Sequence, residues 1–118
     1  MKPISIKLTG KIPSKKNTWQ RGKRRGMYIP VVIRAKLDFL LWQLKKYRPE
    51  EPIDKKVKIE MAIYTKSLRQ DAGNISETIL DLLQKADIIT NDRVCDDVHY
   101  TRSRGAEDEV FVEIALSS

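Results

Sequence analysis

Asp71, Asn74, Glu77, Asp81 and Asp92 are the side chains of this chain whose types and spacing are suited to chemistry. Asp71 lies in a polar loop. Asn74, Glu77 and Asp81 follow at i, i+3 and i+7, the spacing of one helical face. Asp92 comes in the turn after that helix. A helix packed on a sheet could bring its first turn, and the segment after it, to one strand end. Such packing could gather Asp71, Glu77 and Asp92. Clustered carboxylates without a cysteine or histidine set match a hard divalent cation such as Mg²⁺, with Mn²⁺ as a substitute. Such an ion can activate water for attack on a phosphodiester and neutralise the charge that develops. The same residues also have purely structural uses. Asp71 suits a loop or a helix cap, Asn74 and Glu77 fit a capping box, and Asn91-Asp92 suits a turn.

The surrounding pattern supplies elements to position these groups. Ile4, Ile6 and Leu8 alternate with polar neighbours over residues 3–9, which predicts a half-buried strand. Residues 10–30 read as a long loop bounded by Pro13 and Pro30. Leu37, Leu40, Leu41 and Leu44 recur at helical spacing within a helix over 31–48, ended by Pro49 and Pro52. Val57, Ile59, Met61 and Ile63 mark a second strand over 56–64. A second helix is expected over 74–86, with Ile75, Ile79, Leu82 and Leu83 inward. Residues 94–104 and 109–116 read as a closing hairpin around Gly105-Ala106-Glu107-Asp108. The order β-α-β-α-β-β predicts an α+β (mixed α/β) domain, a small sheet packed with two helices, formed by residues 1–118 as one unit.

Charge is divided along the chain. Residues 1–37 hold eleven Lys or Arg and no acid, and the remainder holds twelve basic and sixteen acidic groups. A basic head on a mildly acidic body points to a polyanion partner, with Lys15, Lys16, Arg21, Lys23, Arg24 and Arg25 of the loop along its phosphates. Trp19 either stacks on an unpaired base or anchors the loop. Trp42 is expected in the core or on a dimer surface. His99, the single histidine, is expected on a sheet face rather than in catalysis, and Asp96 and Asp97 are possible supporting acids. Cys95 cannot form an internal disulfide and is expected to be a small buried apolar group. No membrane span or signal peptide is read, and the expected compartment is the cytoplasm. Ser14 has no His/Asp partners nearby in sequence, which argues against a serine hydrolase.

Several of these segments resemble RusA-type Holliday junction resolvases. Asp71-Ala72-Gly73-Asn74 is similar to the Asp-x-Asp-Asn motif that opens a helix in that family. Asp81-Leu82-Leu83-Gln84-Lys85-Ala86 is similar to the helix tail, and Ile88-Ile89-Thr90-Asn91-Asp92 to the acidic turn. Ile12-Pro13-Ser14-Lys15-Lys16-Asn17 is similar to the Pro-Ser-x-Asn segment, which adds Asn17 to the candidate DNA contacts. The resemblance implies a Mg²⁺-dependent homodimer that resolves branched DNA by paired nicks, with Asp71 and Asp92 as essential acids. Two positions depart from the pattern: Gly73 replaces the second Asp of the motif, and Glu77 replaces the helix lysine. Glu77 is expected to supply the carboxylate that Gly73 lacks, making Asp71, Glu77 and Asp92 the metal ligands. Asn74 and Asp81 are expected to hold the hydrogen-bond network around them. The alternative is a non-catalytic basic nucleic-acid-binding protein derived from the same fold.

Overall fold

The computed structural model of the protein describes residues 1–13, 20–21, 27–28, 31–69 and 71–117, with the backbone alone at 20, 21, 27 and 28. The elements are β1 (Ile4–Thr9), β2 (Gln20–Arg21), β3 (Met27–Tyr28), α1 (Val31–Leu44), β4 (Val57–Thr65), α2 (Ala72–Lys85), β5 (Cys95–Arg104) and β6 (Glu109–Leu116). Short 3₁₀ turns follow α1 at Lys45–Tyr47 and precede β5 at Asp92–Val94. The fold is α+β, with two helices against a four-stranded mixed sheet. Within the predicted loop over 10–30, β2 and β3 pair as a two-residue antiparallel ribbon, Gln20 with Tyr28 and Arg21 with Met27.

Alternation sorts the sheet into two faces. Ile6, Leu8, Val57, Ile59, Met61, Ile63, Val110, Val112 and Ile114 are buried on one face. Leu40 and Leu44 of α1 meet them there, together with Ile75, Ile79, Leu82 and Leu83 of α2. At roughly 25 cal/mol per Å² of apolar surface, burying this shared face is the main drive for the fold. Among the described residues, no α-helix packs on the opposite face. That face forms an open concavity of about 690 Å³, with Lys7, Tyr47, Glu60, His99, Phe111 and Glu113 in its lining.

The sheet order is β1-β6-β4-β5. The last two strands therefore do not form the expected hairpin. β5 pairs parallel to β4, β6 pairs antiparallel to it, and β4 lies between them. The connection from 105 to 108 steps over the end of β4. Gly105 N–H donates to Thr65 O at 3.0 Å, and the Lys66 N–H donates to an Asp108 carboxylate oxygen at 2.9 Å. A Cβ at Gly105 would lie 3.0 Å from the Tyr64 Cβ, so any side chain there would have to push Tyr64 aside. Local sequence marks a turn there but does not say whether the returning strand lands beside its predecessor or one strand further on.

Trp42 is 66% exposed and stacks on Phe39, with ring centroids 6.2 Å apart. It is therefore not a core residue, because the buried stripe of α1 runs through Leu40 and Leu44. His99 is exposed on β5, on the helix-free face beside Glu60, and its Nε2 lies 3.0 Å from Asp97 Oδ1. Cys95 is half-buried. Burial raises its thiol pKa, and the negative charge of Asp92 raises it further. Among the described residues, no helix is long and apolar enough to cross a membrane.

One buried group lacks a partner. The Thr65 hydroxyl, at the end of β4, makes no hydrogen bond among the described residues, although the residue is 8% exposed. An unmet hydroxyl in the core carries a desolvation cost that a methyl group does not. Thr65→Val should therefore leave stability unchanged or raise it by about 1 kcal/mol. Denaturant melts of the two proteins check this, and a loss of stability would show that the hydroxyl has a partner.

Candidate functional site

The motif residues sit on the β4–α2–β5 unit. Parallel strands require a crossover, and α2 supplies it by running back along the sheet. Asp71 is the N-cap of α2. Its backbone is extended, and its Oδ1 accepts a hydrogen bond from Gly73 N–H at 2.7 Å. The Asp71 carbonyl accepts from Ile75 N–H at 3.2 Å. The helix therefore starts two residues before the expected Asn74, and the cap is Asp71 rather than an Asn74–Glu77 box. A carboxylate at this end also interacts favourably with the helix dipole.

The other candidates distribute around α2. Ile75, Ser76, Thr78, Ile79, Leu82 and Leu83 are buried. Glu77 is exposed on the opposite face, and Asn74 and Asp81 are half-buried, so the three do share an outer face as their spacing implies. The Asn74 carbonyl accepts from Thr78 Oγ1 at 3.1 Å. That hydroxyl also lies 2.8 Å from the carbonyl of Pro13, where both groups are buried. Ile12 and Pro13, at the root of the basic loop, are thereby held against the helix that carries the acids. Thr78 was not singled out from sequence, because a threonine in a helix carries no signal of a contact 65 residues away.

Asp92 opens the 3₁₀ turn before β5 and is exposed. The Asn91 side chain accepts from Arg93 N–H at 2.8 Å and fixes that turn. The strand register then decides the relation between the two acids. Val57 pairs with Cys95 at one end of β4, and Thr65 pairs with Arg104 at the other. Asp71 follows the second end and Asp92 precedes the first. The fourteen residues of α2 lie between them, a length of about 21 Å. Oxygens sharing one Mg²⁺ each lie about 2.1 Å from it. One chain therefore does not gather Asp71, Glu77 and Asp92 at one strand end, contrary to expectation. Among the described residues, no three acidic, histidine or cysteine side chains form a group able to hold a metal ion. The donor chemistry suits Mg²⁺, but the placement within a single chain does not.

Arginines stand at the sheet end that Asp71 follows, together with Glu107 and Asp108 of the crossing turn. Arg104 and Arg102 stand on β5 opposite Thr65 and Ile63, and Arg69 lies two residues before the cap. All three are exposed. Tyr100 also reaches this end. A Cβ at Gly73 would lie 3.3 Å from the Tyr100 hydroxyl and 3.1 Å from Asp71 Oδ1. The absence of a side chain at 73 thus lets the cap and the tyrosine approach the same turn. An aspartate at 73 would meet this crowding. By contrast, the helix-free face sets Glu60 directly opposite Glu113, a pairing that repels phosphate.

Of the expected DNA contacts, Lys15, Lys16, Asn17, Trp19, Lys23, Arg24 and Arg25 lie outside the described residues, and Arg21 is described in β2 by its backbone alone.

Two stability measurements test this geometry. Asp71→Ala should cost about 1 kcal/mol through loss of the cap, whereas Asp71→Asn should cost little, because asparagine caps equally well. Gly73→Ala should be less favourable beside Tyr100 than in a Tyr100→Phe background, with a coupling of about 0.5 kcal/mol or more in a double-mutant cycle. Strict additivity would remove the tyrosine hydroxyl from the start of α2.

Comparison with protein-family models and with curated proteins finds no match for this chain.

Proposed function

We propose that this chain is a cytoplasmic, Mg²⁺-dependent endonuclease that cleaves branched DNA such as four-way junctions, and that it acts as a homodimer. The observation that carries this reading is the setting of the motif. Asp71-Ala72-Gly73-Asn74 falls on a strand-to-helix junction, with an exposed carboxylate at the positive end of α2. Arg69, Arg102 and Arg104 stand at the same end of the sheet. An acid at the same sheet end as three arginines suits a phosphodiester held by cations beside a metal-binding oxygen. The acid-free first 37 residues supply further positive charge, and their root is pinned to α2 through Thr78 and Pro13.

The reading needs two chains. Asp71 and Asp92 stand a helix length apart within one copy, so a cation shared between them must be shared between copies. Mg²⁺ bound there would supply an activated water and charge neutralisation. The chain's own part is to present Asp71 and Glu77 near one end of α2 and Asp92 at the other. The basic residues hold the DNA strand.

A second reading is favoured by specific observations. Gly73 supplies no ligand, and an oxygen of Asp71 is already engaged in capping. On this reading the protein binds branched nucleic acid without cutting it.

Incubating the protein with a synthetic four-way junction, with and without Mg²⁺, separates the two. Paired nicks that require the metal support the nuclease. Retarded, uncut junction under both conditions supports the binding protein. Glu77→Gln and Asp71→Asn should each abolish cutting while leaving junction retention intact. Full cutting by Glu77→Gln would take Glu77 out of the site. Retention should also weaken steeply with salt, since each neutralised phosphate releases counterions. Affinity that ignores salt would count against both readings.

A further inference from the structure

The first helix carries two apolar stripes. Leu40 and Leu44 face the core, and α1 packs on the sheet through them. Val32, Phe39 and Trp42 lie on the other side of the helix, at i, i+7 and i+10, and all three are exposed. A helix that covers one sheet needs only one such stripe. The rings of the second stripe are ordered against each other. Trp42 and Phe39 stack with their planes 13° apart and centroids 6.2 Å apart. Phe39 is backed in turn by Gly10, where a Cβ would lie 3.6 Å from the Phe39 ring. Gly10 is fixed to the sheet by its N–H, which donates to Asp108 O at 2.9 Å. Trp42 is the outermost member of this stack.

The charges around the aromatic pair indicate what it takes. Residues 31–48 hold Arg34, Lys36, Lys45, Lys46 and Arg48 against a single acid, Asp38. Arg48 pairs with Asp87 at 3.8 Å. Arg34, Lys36, Lys45 and Lys46 are exposed and, among the described residues, form no ion pair. Lys45 and Lys46 follow Trp42 by one turn, and the exposed Lys11 follows Gly10. A protein partner is a poor match, because lysine is depleted where proteins meet. An exposed ring with cations about it matches a single nucleic-acid strand, whose bases stack on the ring while its phosphates meet the cations. Position agrees with this. Thr9 pairs with Glu109, Glu109 with Tyr64, and Thr65 with Arg104, so Gly10 lies past the same sheet end as Arg104. The aromatic pair stands on the β1 side of the end that Asp71 follows, and Arg102 and Arg104 stand on its β5 side.

We propose that Trp42, backed by Phe39, is a stacking site for an unpaired DNA base, with Lys45 and Lys46 on the adjoining phosphates. The proposal rests on branched DNA being the partner, whether or not the chain cuts it. A paired base is held in the duplex stack and must be taken out of it before its ring face is free. A branch point or a single-stranded gap offers that face at no such cost. The site therefore adds affinity only where bases are unpaired. It does so for any base, because every base has a π-face. Two tasks are thereby divided. The arginines and the basic head hold any phosphate backbone, and Trp42 selects opened strands.

The test compares retention of a junction that carries an unpaired gap at its branch with retention of a fully paired duplex. Trp42→Ala should lower the ratio of the two affinities about tenfold. Trp42→Phe should keep most of the preference, since a phenyl ring also stacks. A second measurement uses the unaltered chain. Ultraviolet crosslinking to a short single strand carrying 5-iodouracil should attach the base to the tryptic peptide 37–45, which holds Phe39 and Trp42. An unchanged ratio in Trp42→Ala, or crosslinks confined to other peptides, would overturn the proposal. So would a Trp42→Ala protein of lower sedimenting mass and unaltered preference, because the pair would then lie between copies. If Trp42→Ala unfolds, as judged by circular dichroism, the crosslink decides alone. Junction cutting with Mg²⁺ is scored separately. Cutting without any Trp42-dependent preference would sink the stacking site and spare the nuclease. A Trp42-dependent preference in a protein that never cuts would do the reverse.

Discussion

The parallel pairing of β4 with β5 is the constraint on which the rest of this structure depends. Two parallel neighbours cannot be joined by a tight turn, so the chain must travel back along the sheet between them. In this protein α2 makes that return, and its apolar stripe of Ile75, Ile79, Leu82 and Leu83 is held against the sheet. The motif residues ride on the helix and its two ends. Their mutual placement is therefore set by helix length and not by any local attraction among them. Asp71 caps one end, Asp92 follows the other, and no rotation of side chains closes a gap of about 21 Å.

A second consequence concerns the edges. With β4 and β6 in the middle of the sheet, β1 and β5 are left outermost. The α1 segment is placed to cover β1, and Gln43 and Tyr47 satisfy part of that strand's backbone. α2 lies over one face, and among the described residues no strand pairs with the outer edge of β5.

Electrostatics divides the molecule by position more than by sequence segment. The body residues after 37 carry more acids than bases. Even so, the end of the sheet at Asp71 is rich in arginine, because Arg102 and Arg104 of β5 register against the close of β4 beside Arg69. The helix-free face is different in character, with Glu60 opposite Glu113 and His99 paired to Asp97.

Sequence by itself determined the four strands of the main sheet and the two helices, though not the short β2–β3 ribbon, since periods of two and 3.6 express burial on one side of an element. It also determined that Asn74, Glu77 and Asp81 share a helical face, because that relation is local to α2. It marked the turn at Gly105 and the division of charge at Asp38. Tertiary structure alone decided what stands beside what. It placed β4 between β5 and β6, so that a turn that looked like a hairpin became a step over a strand. It turned Trp42 outward, brought Tyr100 against Gly73 and tied Pro13 to Thr78. It also set Asp71 and Asp92 at opposite ends of a helix. The physical reason is the same in each case. Periodicity records whether a residue is covered, whereas the identity of the covering group depends on strand order and helix direction, which no local pattern encodes.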